Sequence, residues 1–135
     1  MNRILSRLFA LVLVVCVGLM GCSSASATGV GISGDYRQDT LTTVSVLREA
    51  INLPDDAPNK AELQAQARQL INDFSSRYRR ETSVARLNSY TTMRTALNSL
   101  AGHYSSYPNR PVPQKLKDRL EMEFKQIELA VNRGT

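Results

Sequence analysis

Apolar residues are distributed along this chain in two different ways. From Leu8 to Met20 they run on without a charged residue, behind a short segment, Met1 to Arg7, that holds Arg3 and Arg7 and no acid. From Asp35 onward they recur every three or four positions among polar and charged residues. The first pattern is that of an export signal, a basic n-region followed by an apolar h-region. The uncharged run is shorter than the roughly 20 residues that a hydrocarbon core about 30 Å thick requires, so it predicts a leader and not a membrane span in the mature protein.

The second pattern predicts four helices. Asp35 can cap the first, with Gln38 in the reciprocal capping-box position, and Leu41, Val44, Leu47 and Ile51 supply its apolar stripe. Pro54 and Pro58, with Asp55 and Asp56 between them, end it in a turn. Asn59 and Glu62 form a second capping box, followed by the stripe Leu63, Ala67, Leu70, Ile71, Phe74 and Tyr78. The pattern breaks near Glu81, and Thr82 or Ser83 is the expected cap of a third helix bearing Val84, Leu87, Tyr90, Met93, Leu97, Leu100 and Tyr104. Three prolines between Tyr107 and Pro113 cannot continue it, because they remove donors and restrict the residues before them. Pro113 is suited to open a fourth helix as its first residue, with Leu116, Leu120, Phe124, Ile127 and Val131 facing inward and Glu121 and Lys125 one turn apart outside. Gly134 can close it. No segment alternates like a strand. Each helix has one apolar stripe and the connections are short, so the expected fold is all-α, an up-down-up-down antiparallel four-helix bundle.

The junction between the two patterns carries its own chemistry. Leu19-Met20-Gly21-Cys22 resembles the lipobox of bacterial lipoproteins. That resemblance implies cleavage before Cys22, a diacylglyceryl group on its thiol and an acyl group on the new amino terminus. Two or three chains, at about 0.8 kcal/mol per buried methylene, anchor far more firmly than one. Ser23 to Gly34 is small, uncharged and rich in Ser, Ala and Gly, a tether with a root-mean-square reach of roughly 20 Å. The chain therefore divides into a signal peptide (1–21), a lipidated cysteine and flexible tether (22–34) and a helical domain (35–135). Its 135 residues suit one domain. Cys16 departs with the leader, which leaves no disulfide partner. Loss of Arg3 and Arg7 lowers the charge from 17 − 12 = +5 to 15 − 12 = +3. With that modest charge spread along an exported chain, nucleic acid is not the expected partner despite a pI near 9.6.

A search for catalytic chemistry finds little. His103 is the sole histidine, so zinc sites built from His and Cys are not expected, and no cofactor is expected beyond the lipid on Cys22. Ser105 and Ser106 lie near His103 without anything like a nucleophile elbow, and His103 is expected to cap or cover the end of the third helix. Asp55 with Asp56 belongs to a turn, while Glu121 and Glu123, two apart on a helix, point away from each other. Gly102 is expected to mark close helix approach or fraying. The one charge cluster, Arg77-Tyr78-Arg79-Arg80, ends the second helix, where cations interact well with the macrodipole and where forked guanidinium groups could also dock carboxylates of a partner.

Several segments are distinctive together: Arg77-Tyr78-Arg79-Arg80, Ser89 to Met93 (SYTTM), Thr95 to Tyr104 (TALNSLAGHY) and Pro111-Val112-Pro113. With the lipobox, they make the chain resemble the Psb twenty-seven family of cyanobacterial photosystem II lipoproteins, from the leader through the fourth helix. The resemblance implies a four-helix, non-enzymatic assembly and repair factor, lipid-anchored on the lumenal side of the thylakoid membrane. It implies binding to immature photosystem II through the large lumenal loop of an inner-antenna chlorophyll protein, and restraint of the extrinsic proteins until the manganese cluster is built. On that mechanism the expected partner-binding residues are Lys60, Arg77, Arg79, Arg80, Arg94 and His103. The alternative is a generic envelope lipoprotein that scaffolds other proteins.

Overall fold

A computed structural model describes residues 31–108 and 110–135. The leader, Cys22 and most of the expected tether lie outside the described residues. Four helices follow in order: α1 (Tyr36–Asn52), α2 (Lys60–Tyr78), α3 (Asn88–Ser106) and α4 (Gln114–Arg133). No strand occurs among the described residues.

The helices form a closed antiparallel ring. Each packs on its neighbour in sequence, and α1 closes the ring against α4. Cross-helix contacts give the directions. Tyr36 at the start of α1 stacks edge-on against Tyr78 at the end of α2, with ring centroids 5.3 Å apart. Arg37 reaches Asn132 while Arg48 reaches Glu121, so α1 and α4 also run oppositely. Tyr36 and Ser89 share a hydroxyl hydrogen bond of 2.8 Å, which places the starts of α1 and α3 at the same end. This is the up-down-up-down bundle that the stripes predict. Leu47, Leu70, Phe74, Met93, Leu100, Leu120, Phe124 and Ile127 are fully buried along its axis. Each such side chain contributes about 1.5 to 3 kcal/mol relative to exposure, and no helix could retain that contribution alone.

The helix ends depart from the sequence reading in instructive ways. Asp35 caps α1, its carboxylate accepting from the Gln38 backbone N–H at 2.9 Å, but the Gln38 side chain turns to Thr42 instead of completing the box. Asn59 occupies the cap position of α2 without a side-chain bond to the backbone. The third helix begins at Asn88, not beside Thr82 or Ser83. Between Tyr78 and Leu87 the chain makes three successive tight turns, with the N–H groups of Glu81, Val84 and Leu87 each donating to the carbonyl three residues earlier. Those turns bury Val84 at a three-residue period, which sequence spacing cannot distinguish from a helix start. Pro113 is the residue before α4, its carbonyl accepting from Leu116 and Lys117. Gly134 ends α4 in the left-handed conformation at φ +80°.

Upstream of α1 the ordered body extends beyond Asp35. Ile32 packs against the core, and Ser33 and Gly34, counted with the tether in the sequence reading, are held by the side chain of Asp39. Gly102 is exposed, and a Cβ built on it would meet nothing within 4 Å, so it marks no close approach between helices.

Candidate docking surface

The six side chains singled out as partner-binding do not form one patch. Seventeen residues separate Lys60 from Arg77 along α2, about 26 Å at the helical rise, so they stand at opposite ends of the bundle. Lys60, at the first turn of α2, pairs with Asp55 at 2.9 Å across the preceding loop. His103 belongs to that end as well, and it is only 8% exposed. Its Nε2 lies 3.3 Å from the Arg110 carbonyl and its ring packs near those of Tyr104 and Tyr107. It therefore covers the end of α3, as expected, and fastens the proline-rich connection to it.

The four arginines gather around the opposite half. Arg77 is bound to Glu81 at 2.6 Å and lies over the Tyr78 ring. Arg80 is exposed in the turn after α2 and has no ion pair among the described residues. Arg79, the residue after α2, and Arg94, in α3, come together at a groove of about 420 Å³ whose lining includes Phe74, Tyr90 and Leu97 and no acid. The α2–α3 seam is the least closely packed of the four that close the ring, and the groove opens along it. The aromatic and aliphatic side chains there are buried, while both arginines are exposed. An apolar floor between two free guanidinium groups suits a partner segment that offers carboxylates beside an apolar residue.

Two clusters that sequence reading missed rigidify this scaffold. The first centres on Asp39, which is 2% exposed. Its carboxylate accepts from the Ser33 N–H and hydroxyl at 2.7 Å each, from the Gly34 N–H at 2.9 Å and from the Tyr78 hydroxyl. Burial alone would raise the Asp39 pKa, but these donors outweigh it and hold the carboxyl below its ordinary range. The Tyr78 hydroxyl is pushed up, by burial first and then by its bond to Asp39. In sequence, Asp39 reads as an ordinary first-turn acid; the signal was its place four residues before Thr43, on the side that turns inward.

The second cluster is Arg48, whose guanidinium forks to Glu121 at 3.0 Å and to Glu128 at 2.8 Å while lying 5.7 Å from the centre of the Phe124 ring. The hydrogen bond to Glu128 is the largest cause of its raised pKa. Glu121 thus spans to α1 instead of pairing with Lys125 as its spacing suggested, because a fork shared by two carboxylates two turns apart outcompetes a solvated lysine.

Among the described residues no three His, Cys, Asp or Glu side chains gather into a cation site, and no helix is long and apolar enough to cross a membrane. The described residues define a small all-α four-helix bundle with a groove along its α2–α3 seam. A family model described as Photosystem II Pbs27 matches residues 8–131, and the chain belongs to that family. The chain is 58% identical over 130 residues to "Photosystem II lipoprotein Psb27" of Synechocystis, covering 96% of this chain and 94% of the relative. It is 54% identical to "Photosystem II assembly factor lipoprotein Psb27" of Thermosynechococcus vestitus, over 98% of this chain and 97% of that one. It is 33% identical to "Photosystem II repair protein PSB27-H1, chloroplastic" of Arabidopsis thaliana, over 74% and 58%. A solution structure of Psb27 from cyanobacterial photosystem II superposes with a TM-score of 0.74 at 58% identity, covering 79% of this chain and 93% of that one. The Thermosynechococcus and Arabidopsis relatives are named as an assembly factor and a repair protein, not for a reaction.

Proposed function

We propose that the chain is a photosystem II assembly and repair factor, lipid-anchored through Cys22 on the lumenal side of the thylakoid membrane, that docks on immature complexes. The carrying observation is near-full-length identity to lipoproteins named for photosystem II and its assembly. The groove at the α2–α3 seam supplies the docking chemistry, with Arg79 and Arg94 taking carboxylates on a lumenal loop of an inner-antenna chlorophyll protein. Occupying that loop restrains the extrinsic proteins until the manganese cluster is assembled.

The test is co-purification. A tagged chain expressed in a cyanobacterium is expected to bring down chlorophyll-containing assembly intermediates, and Arg79→Glu with Arg94→Glu is expected to lower that yield at least several-fold while leaving helical circular dichroism intact. Undiminished capture by the double variant removes the groove from the mechanism. Capture of envelope proteins without chlorophyll would favour a generic scaffolding lipoprotein instead.

A further inference from the structure

The two ends of the bundle carry different charge. At the end formed by residues 31–39, 77–90 and 131–135, six cations (Arg37, Arg77, Arg79, Arg80, Arg86 and Arg133) face three acids (Asp35, Asp39 and Glu81). A terminal carboxylate on Thr135 would reduce the excess from three to two. At the other end, residues 49–62 and 103–118, four cations meet five acids. The acids of the basic end are already engaged: Asp39 in its buried network, Glu81 by Arg77, and Asp35 as the cap of α1. Arg37, Arg80, Arg86 and Arg133 remain exposed and without ion pairs among the described residues. Arg37 and Arg133 also flank a recess of about 640 Å³ that reaches the buried Ser89 hydroxyl.

The basic end is where the polypeptide leaves toward Cys22. Asp39 fastens Ser33 and Gly34 there, which fixes the point of departure on the bundle. Nine residue steps lead from Cys22 to Gly31, a contour of at most about 32 Å, comparable to the length of a helix of the bundle. A lipid on Cys22 would keep this end within about 32 Å of the headgroups, so that it can enter the surface field of anionic lipids, which acts within a Debye length of about 10 Å.

We propose that the Arg37, Arg80, Arg86 and Arg133 end of the bundle is a membrane-facing surface that binds anionic lipid headgroups and stands the domain upright on its anchor. The orientation rests on the lipoprotein reading above; the headgroup affinity does not. Upright placement turns the Asp55 and Asp56 end away from the bilayer and leaves the α2–α3 groove open sideways for a partner.

Residues 31–135, a single compact unit with its own core, allow a test without the acyl chains. Sedimentation with phosphatidylglycerol-containing vesicles at low salt is expected to recover the domain, and vesicles of phosphatidylcholine alone or high salt to leave it in solution. Each arginine at an anionic surface contributes about fivefold in partition, so Arg80→Glu, Arg86→Glu and Arg133→Glu together are expected to reduce binding at least tenfold. Lys60→Glu, Lys115→Glu and Lys117→Glu change net charge equally at the other end and are expected to retain most of it. Equal loss in the two triple variants, or equal binding to neutral and anionic vesicles, overturns the proposal. A bimane label on a cysteine at Ser83 should be quenched by brominated lipid more than one at Asp56, in an otherwise unaltered domain; the reverse order also overturns it. Absence of vesicle binding by the unaltered domain, with capture of chlorophyll complexes lost in the Arg80, Arg86 and Arg133 variant, makes this end a protein surface and refutes a lipid role. Loss of capture in the Arg79 and Arg94 variant alone, with vesicle binding retained, separates the fate of the groove from that of the basic end.

Discussion

Asp39→Asn tests the physical account of the anchor end most sharply. The carboxylate takes four hydrogen bonds from Ser33, Gly34 and Tyr78 with no counter-charge bonded to it. An asparagine of the same shape keeps one acceptor oxygen and turns an NH2 group toward donors. About two bonds to a charged acceptor are lost, each worth roughly 1.5 to 3 kcal/mol, and local rearrangement recovers part of that, so a net loss of about 2 to 4 kcal/mol is expected at pH 7. In a domain of this size about 1 kcal/mol shifts the midpoint by roughly 5 °C, giving a drop of about 10 to 20 °C in thermal unfolding followed by circular dichroism. The pH dependence has a definite sign. The native Asp39 pKa is depressed, so its contribution is complete above the unfolded value near 3.9 and disappears as pH falls through the native value. The gap between wild type and variant should therefore be widest near neutrality and close below about pH 4. A midpoint within about 2 °C of wild type at pH 7, or a gap unchanged down to pH 2, refutes the assignment of a buried, ionised hub.

Two further outcomes check the packing and the interhelical ion pairs. Phe124→Ala should cost about 3 to 5 kcal/mol because its ring is fully buried, whereas Met122→Ala, two residues away at 64% exposure, should stay within about 0.5 kcal/mol; similar denaturant midpoints for the two would deny that α4 is one-sided. Arg48→Ala should lower stability by about 1 to 2 kcal/mol, discounted because the fork is partly solvated, and a double-mutant cycle with Glu128→Gln should return a coupling above about 0.5 kcal/mol, with zero coupling disproving the bridge between α1 and α4.

The fold was legible because its information is periodic. The stripes from Leu63 to Tyr78 and from Leu120 to Val131 are buried residue for residue, and the proline stops and the closing glycine stand where their backbone chemistry requires. Helix starts were less legible. The three-residue turns through Val84 mimic a helical repeat, and the side chain of Asn59 makes no cap that its position advertises. The site was half legible. Arginine enrichment after α2 was visible, but pairing Arg79 with Arg94 across a seam needs the antiparallel register of α2 and α3, which one-dimensional spacing does not contain. Asp39 was passed over for the same reason, since its partner Tyr78 stands at the far end of another helix that only the packing of α1 on α2 brings near, whereas His103 covers the end of α3 as expected, bonded to Arg110 seven residues on.

The Asp39 hub also explains why polar groups are buried where an apolar core would be simpler. An apolar residue at that position could fill the space beside Tyr78, but it would leave the Ser33 and Gly34 N–H groups without this acceptor and release the segment that precedes α1. On the proposed anchoring, each released residue adds to the span of chain between the fold and Cys22 and weakens the orientation of the bundle. A charged acceptor that satisfies four donors at once fixes Ser33 and Gly34 at the start of α1, with Gly34 close to Arg77. On the proposed membrane orientation, the sideways aim of the Arg79 and Arg94 groove depends on that fixed point. Asp39→Asn should accordingly weaken capture of photosystem II intermediates by the anchored chain more than it weakens binding of residues 31–135 to an isolated partner loop. Equal losses in the two assays would show that the hub stabilises the groove and does nothing for its orientation.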